Sequence, residues 1–459
     1  MSAEKEEIRK RFIQLAWPVV IQEILLMIMF DVDTAMVGRL KTAEALAAMG
    51  AMGIIGPVRW AIMAVIIGIP IGTVATVARS FGEKNEEKAT AFAATSYFLT
   101  LIVGIITTIV VCVLSSRIPA LFINDPEVIR QGAGYLWITF LFFIFTYASM
   151  TGASILRAAG DTRSPMIITV FSNILNIFGN WLLIFGKMGF PRLGLFGAGL
   201  STGICKAVEG SLMTLLIFSP LSKVRLKPSS FRLVNRSTIR TLLKISIPAS
   251  SEPFFVNSGF LVFTKIVASM GTYAVAVNRI ALAVESLSYM PGHAFMTTCT
   301  TLVGHKVGEG SAKGVKHVVK HSMKVSVSVM SGVGLLFLIF PRLLANIFTN
   351  DKEVIATAAM CLMIGAAEQP FMGIVQILKG AFHGSGETKT PVILGAIGVW
   401  IPRLFFSYFL AIHLNMGLAG IWIATTIDWI TRAGLYIWRF RVHQKKLNLT
   451  LKPVSITAK

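Results

Sequence analysis

Charged residues are scarce in this chain of 459 residues, of which they make up 14%, and only 22 residues are Asp or Glu. Apolar residues, by contrast, make up 54% of the chain. A water-soluble protein of this size could not bury so much apolar surface, whereas the hydrocarbon core of a bilayer accepts it. The scarcity of charge therefore excludes an ordinary soluble protein and favours an integral membrane protein.

Cysteine is rarer still, with four residues: Cys112, Cys205, Cys299 and Cys361. Each lies alone in an apolar stretch, and their spacing fits neither a disulfide framework nor a metal site. The sequence also lacks a nucleophile elbow, a phosphate loop and paired metal ligands. We therefore expect no metal, no organic cofactor, no ATP hydrolysis and no enzymatic activity.

Long apolar stretches, in contrast, recur along the whole chain. We count twelve of 20 or more residues, each long enough as a helix to cross about 30 Å of hydrocarbon. The sequence thus predicts an all-α integral membrane protein with twelve transmembrane helices. The predicted spans are 12–37, 46–77, 90–115, 130–154, 165–186, 195–219, 242–269, 274–302, 317–340, 355–380, 391–413 and 418–438.

The second half of the chain repeats the first at a shift of 226 residues. Val77 to Glu83 (VARSFGE) falls on Val303 to Glu309 (VGHKVGE), and Leu156 to Pro165 (LRAAGDTRSP) falls on Phe382 to Pro391 (FHGSGETKTP). Six helices per repeat is an even number, so both repeats enter the bilayer the same way up. The pattern predicts two pseudo-symmetric six-helix bundles, parallel repeats with a site between them.

The repeat also predicts the domain boundaries. We expect an N-lobe at 1–220 with helices 1 to 6, and a C-lobe at 242–459 with helices 7 to 12 and a cytoplasmic tail. The segment 221–241 between them is polar and basic, as expected of a cytoplasmic linker.

The chain has a net charge of +21, and its basic residues are concentrated in alternate loops. With the N-terminus inside, roughly 28 Lys and Arg fall in cytoplasmic segments and roughly eight in external ones. We therefore expect a multi-pass protein of the cell membrane with both termini cytoplasmic, in contact with anionic lipid. Because no aromatic-basic motif accompanies the charge, nucleic acid is not an expected partner.

Five motifs, in order, resemble the multidrug and toxic compound extrusion (MATE) transporters, and the resemblance runs from about Leu15 to Arg441. It implies two six-helix lobes arranged in a V, alternating access, and proton- or sodium-driven export of small organic cations. We expect a monomer. The motifs are VDTAMVGRL (Val32 to Leu40), ILRAAGDTRSPM (Ile155 to Met166), ESLSYMPG (Glu285 to Gly292), TTLVGHKVGEG (Thr300 to Gly310) and IWIATTIDW (Ile421 to Trp429).

Acidic residues within the spans are the first candidates for chemistry, because a charge at the bilayer centre costs about 2.5–3.5 kcal/mol. Asp31 lies about 200° from Asp33 on a helical wheel and must point elsewhere. Lys206, three residues before Glu209, predicts a local ion pair. The intramembrane acids are Glu23, Asp31, Asp33, Glu209, Glu252, Glu285, Glu368 and Asp428.

Asp33 is the main N-lobe candidate, since the resemblance places it at a position that faces the N-lobe cavity and takes part in cation coupling. Gln22, 11 residues earlier, shares its helix face. Asn180 stands where proton-coupled members often have Asp, and it cannot titrate. With Asn173 and Asn176 it forms either a neutral polar network around Asp33 or helix-packing hydrogen bonds.

Three acids on different helices are the C-lobe candidates for a second cation or drug site: Glu252, Glu285 and Glu368. Glu252 follows Pro248 by four residues, as in many bacterial members that the chain resembles. Glu368 lies one turn before the position where some members carry Asp.

Basic residues within the spans predict ion pairs. Asp428 has Arg432 one turn later, and Arg403 lies mid-membrane in the eleventh helix, which favours a fixed ion pair. Arg59 and Glu285 occupy equivalent positions in the two repeats. They are expected either to form a gate across the lobe interface or to bond within their own lobes.

Together these observations predict a cation-coupled (H⁺ or Na⁺) antiporter that exports organic cations by alternating access. A flippase for lipid or lipid-linked oligosaccharide of the same superfamily is the alternative, but it would need a strongly cationic cavity, whereas here acids stand out in the spans. A membrane-embedded enzyme would need clustered catalytic ligands, which the spans lack. A passive channel fits the two repeats less well than gated access.

Overall fold

The computed structural model describes residues 2–40 and 42–451. Within these ranges every regular element is a helix and no strand occurs. The predicted all-α fold class is therefore confirmed.

The chain divides into two compact units. The unit called here the N-unit comprises Ile21–Phe81 and Asn85–Ile247, and the C-unit comprises Met1–Val20, Gly82–Lys84 and Pro248–Lys459. The lobe boundaries drawn from the repeat stay a prediction.

The N-unit packs its helices around two apolar cores. Helix ends follow from local sequence: the Asn85 side chain accepts a hydrogen bond from the Lys88 backbone N–H, and Asp125 caps the helix that Pro126 begins. Its helices are α1 (Ser2–Val37, from Ile21 onward), α2 (Thr42–Ile66), α3 (Gly68–Gly82, to Phe81), α4 (Glu86–Leu114), α5 (Arg117–Ala120), α6 (Pro126–Leu141), α7 (Phe143–Ala158), α8 (Arg163–Phe185) and α9 (Gly194–Phe218).

The C-unit packs around a large apolar core that includes Phe12, from the start of α1, at a ring-centroid distance of 5.9 Å from Phe295. The turns at Val399–Arg403 and Phe409–His413 are wider than α-helical turns. Its helices are α10 (Arg236–Ala268, from Pro248 onward), α11 (Thr272–Gly308), α12 (Ala312–Ile339), α13 (Pro341–Asn346), α14 (Lys352–Gly365), α15 (Gln369–Gly384), α16 (Lys389–Gly398), α17 (Leu404–Tyr408) and α18 (Gly417–Thr450).

Glycines on α15 let its backbone come into direct contact with the backbone of α11. A Cβ atom on Gly380 would lie 2.4 Å from the backbone oxygen of Met296, and one on Gly384 would lie 2.4 Å from that of Thr300. Such close contact leaves room for no larger residue and fixes the position of α15 against α11.

In the part of the chain that the structure describes, eight helices are long and apolar enough to cross a membrane, or nine if α6 and α7, bent by 47° at their junction, form one span. Helices α10, α11 and α18 have 33, 37 and 34 residues. They are long enough to cross a membrane, but they are not among the helices that are apolar enough to do so by composition. Each of the twelve predicted spans nevertheless falls on a helix or on a run of consecutive helices.

Candidate functional site

A closed ring of hydrogen bonds surrounds Asp33 in the N-unit. Asp33, only 2% exposed, accepts one hydrogen bond from Asn180 Nδ2 and another, of 3.1 Å, from Thr202 Oγ1. Asn180 Nδ2 also donates to Asn176 Oδ1 at 3.3 Å, and Asn176 Nδ2 donates to Thr202 Oγ1 at 3.2 Å. The carboxylate thus receives hydrogen bonds from neutral amide and hydroxyl groups of α8 and α9.

The sequence of α8 explains this ring. Asn173, Asn176 and Asn180 are spaced three and four residues apart, so they share one helix face, and all three are buried. Gly179 brings α8 against α9, because a Cβ there would lie 2.5 Å from Ser201 Oγ. The asparagine row therefore faces Thr202 and Asp33.

A second chain of hydrogen bonds lies beside the ring in the N-unit. Gln22 Nε2 donates to Thr169 Oγ1 at 3.0 Å, and Thr169 Oγ1 donates to Glu209 Oε1 at 3.3 Å. Lys206 Nζ lies 2.6 Å from Glu209 Oε2, which confirms the predicted local ion pair. Asn173 Nδ2 donates to the Thr169 backbone oxygen at 2.8 Å. Gln22 and Asn173 thus bond to Thr169, whereas Asn176 and Asn180 belong to the Asp33 ring.

Asp31 and Arg59 are the remaining candidates of the N-unit. Asp31 is exposed while Asp33 is buried, as the helical wheel predicts. Arg59 contributes positive charge near Asp33 and Tyr135. Its pairing with Glu285 stays a prediction.

In the C-unit, Asp428 lies between two arginines. Arg403 Nε is 2.7 Å from Asp428 Oδ2, and Arg432 binds both carboxylate oxygens, with Nε at 2.7 Å from Oδ1. Aromatic rings cover both guanidinium groups: Phe260 lies 4.8 Å from that of Arg403, and Trp429 lies 4.0 Å from that of Arg432. This geometry is typical of a fixed, fully buried ion pair.

Glu285 and Glu368 lie near this cluster and interact electrostatically with each other and with Arg403. Glu368 occupies the short 3-10 turn Ala366–Glu368 between α14 and α15. It is fully buried, and neither carboxyl oxygen has a hydrogen bond of ordinary geometry among the residues that the structure describes. With Asp428, the two glutamates bring three carboxyl groups near two arginines.

Glu252 has basic neighbours on α15 that are not among the predicted site residues. Lys379 Nζ lies 2.6 Å from Glu252 Oε1, and His383 Nε2 lies 3.9 Å from Oε2. The signal was present in the sequence, since a lysine inside a span incurs the same bilayer cost as an acid. The repeat also places His383 on Arg157.

The comparison with known proteins decides the family. The MatE family model matches residues 18–182 and 248–409, the greater part of both repeats. The chain belongs to the MatE family. A curated relative, the probable multidrug resistance protein NorM of Thermotoga maritima, is 32% identical over 95% of this chain and 93% of its own length. The uncharacterized transporter YisQ of Bacillus subtilis is 26% identical over 94% of each chain.

Solved structures share the MatE fold. A MOP superfamily transporter from Pyrococcus furiosus aligns with a TM-score of 0.89 at 21% identity, over 96% of this chain and 97% of that one. A multidrug resistance MATE family transporter in an outward-facing conformation aligns with a TM-score of 0.89 at 20% identity, over 96% of both chains. The predicted architecture of twelve transmembrane helices in two bundles is therefore confirmed, and the protein is a multi-pass membrane transporter.

Proposed function

We propose that this MatE-family protein is an antiporter that exports small organic cations by alternating access and is driven by H⁺ or Na⁺. The observation that supports this most strongly is the Asp33 ring. A buried carboxylate whose hydrogen bonds come from the neutral donors Asn180 and Thr202 keeps its negative charge available to a mobile cation. Asp428, bonded by two arginines, differs in just this respect.

Asn180 supports the coupling role further. Its Oδ1 has no hydrogen-bond partner within the described residues, although its Nδ2 bonds Asp33. An unpaired amide oxygen beside a carboxylate can ligate Na⁺ or accept a hydrogen bond from a protonated Asp33. Glu285 and Glu368 are a second pair of acidic residues in the C-unit at which we propose that a cation binds.

The proposed substrate class is supported by the relatives, several of which are named as probable multidrug resistance proteins. One charge moved through 100 mV supplies about 2.3 kcal/mol. That free energy supports a substrate gradient of roughly 50-fold per charge without ATP. We further propose that the protein lies in the cell membrane as a monomer with both termini cytoplasmic.

Dye efflux from proteoliposomes tests this function. We expect a lipophilic cationic dye to be transported under an imposed pH gradient or under a sodium gradient, and Asp33→Asn to lose at least about 90% of the rate, because the carboxylate that holds the coupling ion is gone. Asp31→Asn is the matched control. It removes an exposed carboxylate two residues away on the same helix and should transport as the unmodified protein does.

Two results would contradict the proposal. Equal loss in both variants would show that Asp33 has no special role. Failure of both gradients to drive any dye, together with scrambling of labelled lipid, would favour the flippase. Basic residues within the spans argue against that alternative, since Lys206, Lys379, Arg403 and Arg432 are each paired with a carboxylate rather than clustered around a site for a phosphate.

A further inference from the structure

Two buried ion pairs of the C-unit differ in how firmly they are held. The Asp428 side chain is 0% exposed and those of Arg403 and Arg432 are 4% and 7% exposed. In the other pair, Lys379 touches Glu252 through one contact of 2.6 Å, and its side chain is 24% exposed while that of Glu252 is 8% exposed. The first pair is almost fully buried, and the second has a basic partner that is partly exposed.

The chemistry of the two basic groups strengthens this difference. The guanidinium of Arg432 binds both oxygens of Asp428 in a planar fork, and the ring of Trp429 covers it. Lys379 carries a strongly hydrated ammonium on a flexible stem of four carbons. An ammonium that holds one oxygen and is partly exposed can leave its carboxylate and return to it.

A buried histidine lies beside the second carboxylate oxygen of Glu252. His383, 1% exposed, directs Nε2 toward Glu252 Oε2 at 3.9 Å, and this nitrogen has no hydrogen bond among the residues described. On the other side Gly395 of α16 packs against Glu252, since an added Cβ there would lie 3.6 Å from Oε1. The carboxylate therefore has one oxygen held by Lys379 and the other near a buried ring nitrogen that has no hydrogen bond among the described residues.

We infer that Lys379 is a resident counter-ion of Glu252 that a monovalent cation must displace, so that Glu252 with His383 forms a cation site of the C-unit distinct from the Asp33 ring. In the unloaded protein the ammonium neutralises Glu252. A transported cation takes its place, and Lys379 moves toward solvent. When Lys379 returns, it expels the cation. This inference rests on the proposed export of cations and adds the group that releases them.

Binding of tetraphenylphosphonium to the purified full-length protein tests the inference. We expect Lys379→Gln to bind this cation at least about tenfold more tightly than the unmodified protein, because its internal competitor is gone. Lys379→Arg keeps the charge and should bind no more tightly than the unmodified protein. In the double variant Glu252→Gln/Lys379→Gln the gain should disappear, since the carboxylate is missing. A parallel titration with NaCl against KCl distinguishes Na⁺ from the organic cation as occupant: only a site that also takes Na⁺ will release the probe specifically in NaCl.

Chemical restoration of the charge provides a measurement on a folded protein. Lys379→Cys should bind the probe tightly, and attachment of an aminoethyl group through a disulfide should restore an ammonium there and weaken binding again. The unmodified protein treated with the same reagent is the control, because Cys112 is half-buried while Cys205, Cys299 and Cys361 are buried.

The outcomes separate this inference from the function on which it rests. If Lys379→Gln binds the probe as the unmodified protein does, or more weakly, the ion pair is structural and the inference fails while cation export stands. If aminoethylation of Lys379→Cys leaves binding unchanged, the inference fails likewise. If no variant binds the probe, the proposed function is overturned and the inference with it.

Discussion

At the scale of single residues, what bonds to a buried carboxylate distinguishes its role. Asp33 receives an amide and a hydroxyl, Glu252 receives one lysine, and Asp428 receives two arginines. Because a neutral donor leaves the charge in place and a bidentate arginine cancels it, these three acids form a series from available to permanently neutralised. Burial alone does not separate them.

The buried ion pair of Asp428 with Arg403 and Arg432 predicts that loss of the carboxylate will destabilise the protein. Asp428→Asn would leave Arg403 and Arg432 buried beside a neutral amide, and loss of one partner from such a pair costs about 3–5 kcal/mol. We expect a clearly lower melting temperature in detergent, measured by tryptophan fluorescence. Glu127→Gln, which removes the acid from the exposed pair with Arg130, is the control and should melt with the unmodified protein. An unchanged melting temperature for Asp428→Asn would show that the arginines do not depend on it.

The sequence could identify the acids and the basic partners of Glu209 and Asp428, but not the partners of the other acids. Asp33, Glu252, Glu285 and Glu368 stand out because acids in a span are costly, and that reasoning needs no structure. Where donor and carboxylate lie on different helices, which donor reaches which oxygen depends on helix rotation and contact, and spacing along one helix encodes neither. Lys379, by contrast, could have been found from the sequence, since it lies within the predicted span 355–380.

At the scale of helices, the polar residues of the candidate sites lower the apolar content of the helices that carry them, which makes these helices harder to recognise as membrane spans. Helices α10, α11 and α18 carry Glu252, Glu285 and Asp428, and none of the three is among the helices apolar enough to pass by composition. The sequence predicted them nonetheless as the long apolar stretches 242–269, 274–302 and 418–438. The break between α6 and α7 had no such signal, since the residues around Phe142 are uniformly apolar.

The contact between α11 and α15 predicts a strict requirement for glycine. Gly380→Ala would place a methyl group against the Met296 backbone, which cannot move aside as a flexible side chain could. We expect a loss of roughly 1–3 kcal/mol, seen as a lower melting temperature, because the helices must separate. Gly332→Ala on α12 is the matched control: nothing lies within 4 Å of its Cβ position, so the better helix propensity of alanine should be neutral or slightly stabilising. Equal melting of the two variants would contradict the close contact.

At the scale of the whole molecule, the internal repeat was the most informative feature of the sequence. The internal repeat gave two bundles, and the family match covers both of its halves. The repeat could not show that the start of α1 belongs to the core of the C-unit, because the contact of Phe12 with Phe295 joins residues far apart in the chain. Such long-range contacts leave no periodic trace in the sequence.

The basic loops predict a topology that can be measured on intact cells. With the N-terminus inside, Ser229 in the linker lies on the cytoplasmic side and Lys187, between α8 and α9, lies outside; both are exposed in the structure. In a Cys112→Ser background, Lys187→Cys should react with a membrane-impermeant maleimide applied to whole cells. Ser229→Cys should react only after the cells are opened, because the bilayer shields the linker. Labelling of Ser229→Cys in unbroken cells would contradict the assigned orientation. Most loop Lys and Arg residues would then lie outside the cell, contrary to the positive-inside rule.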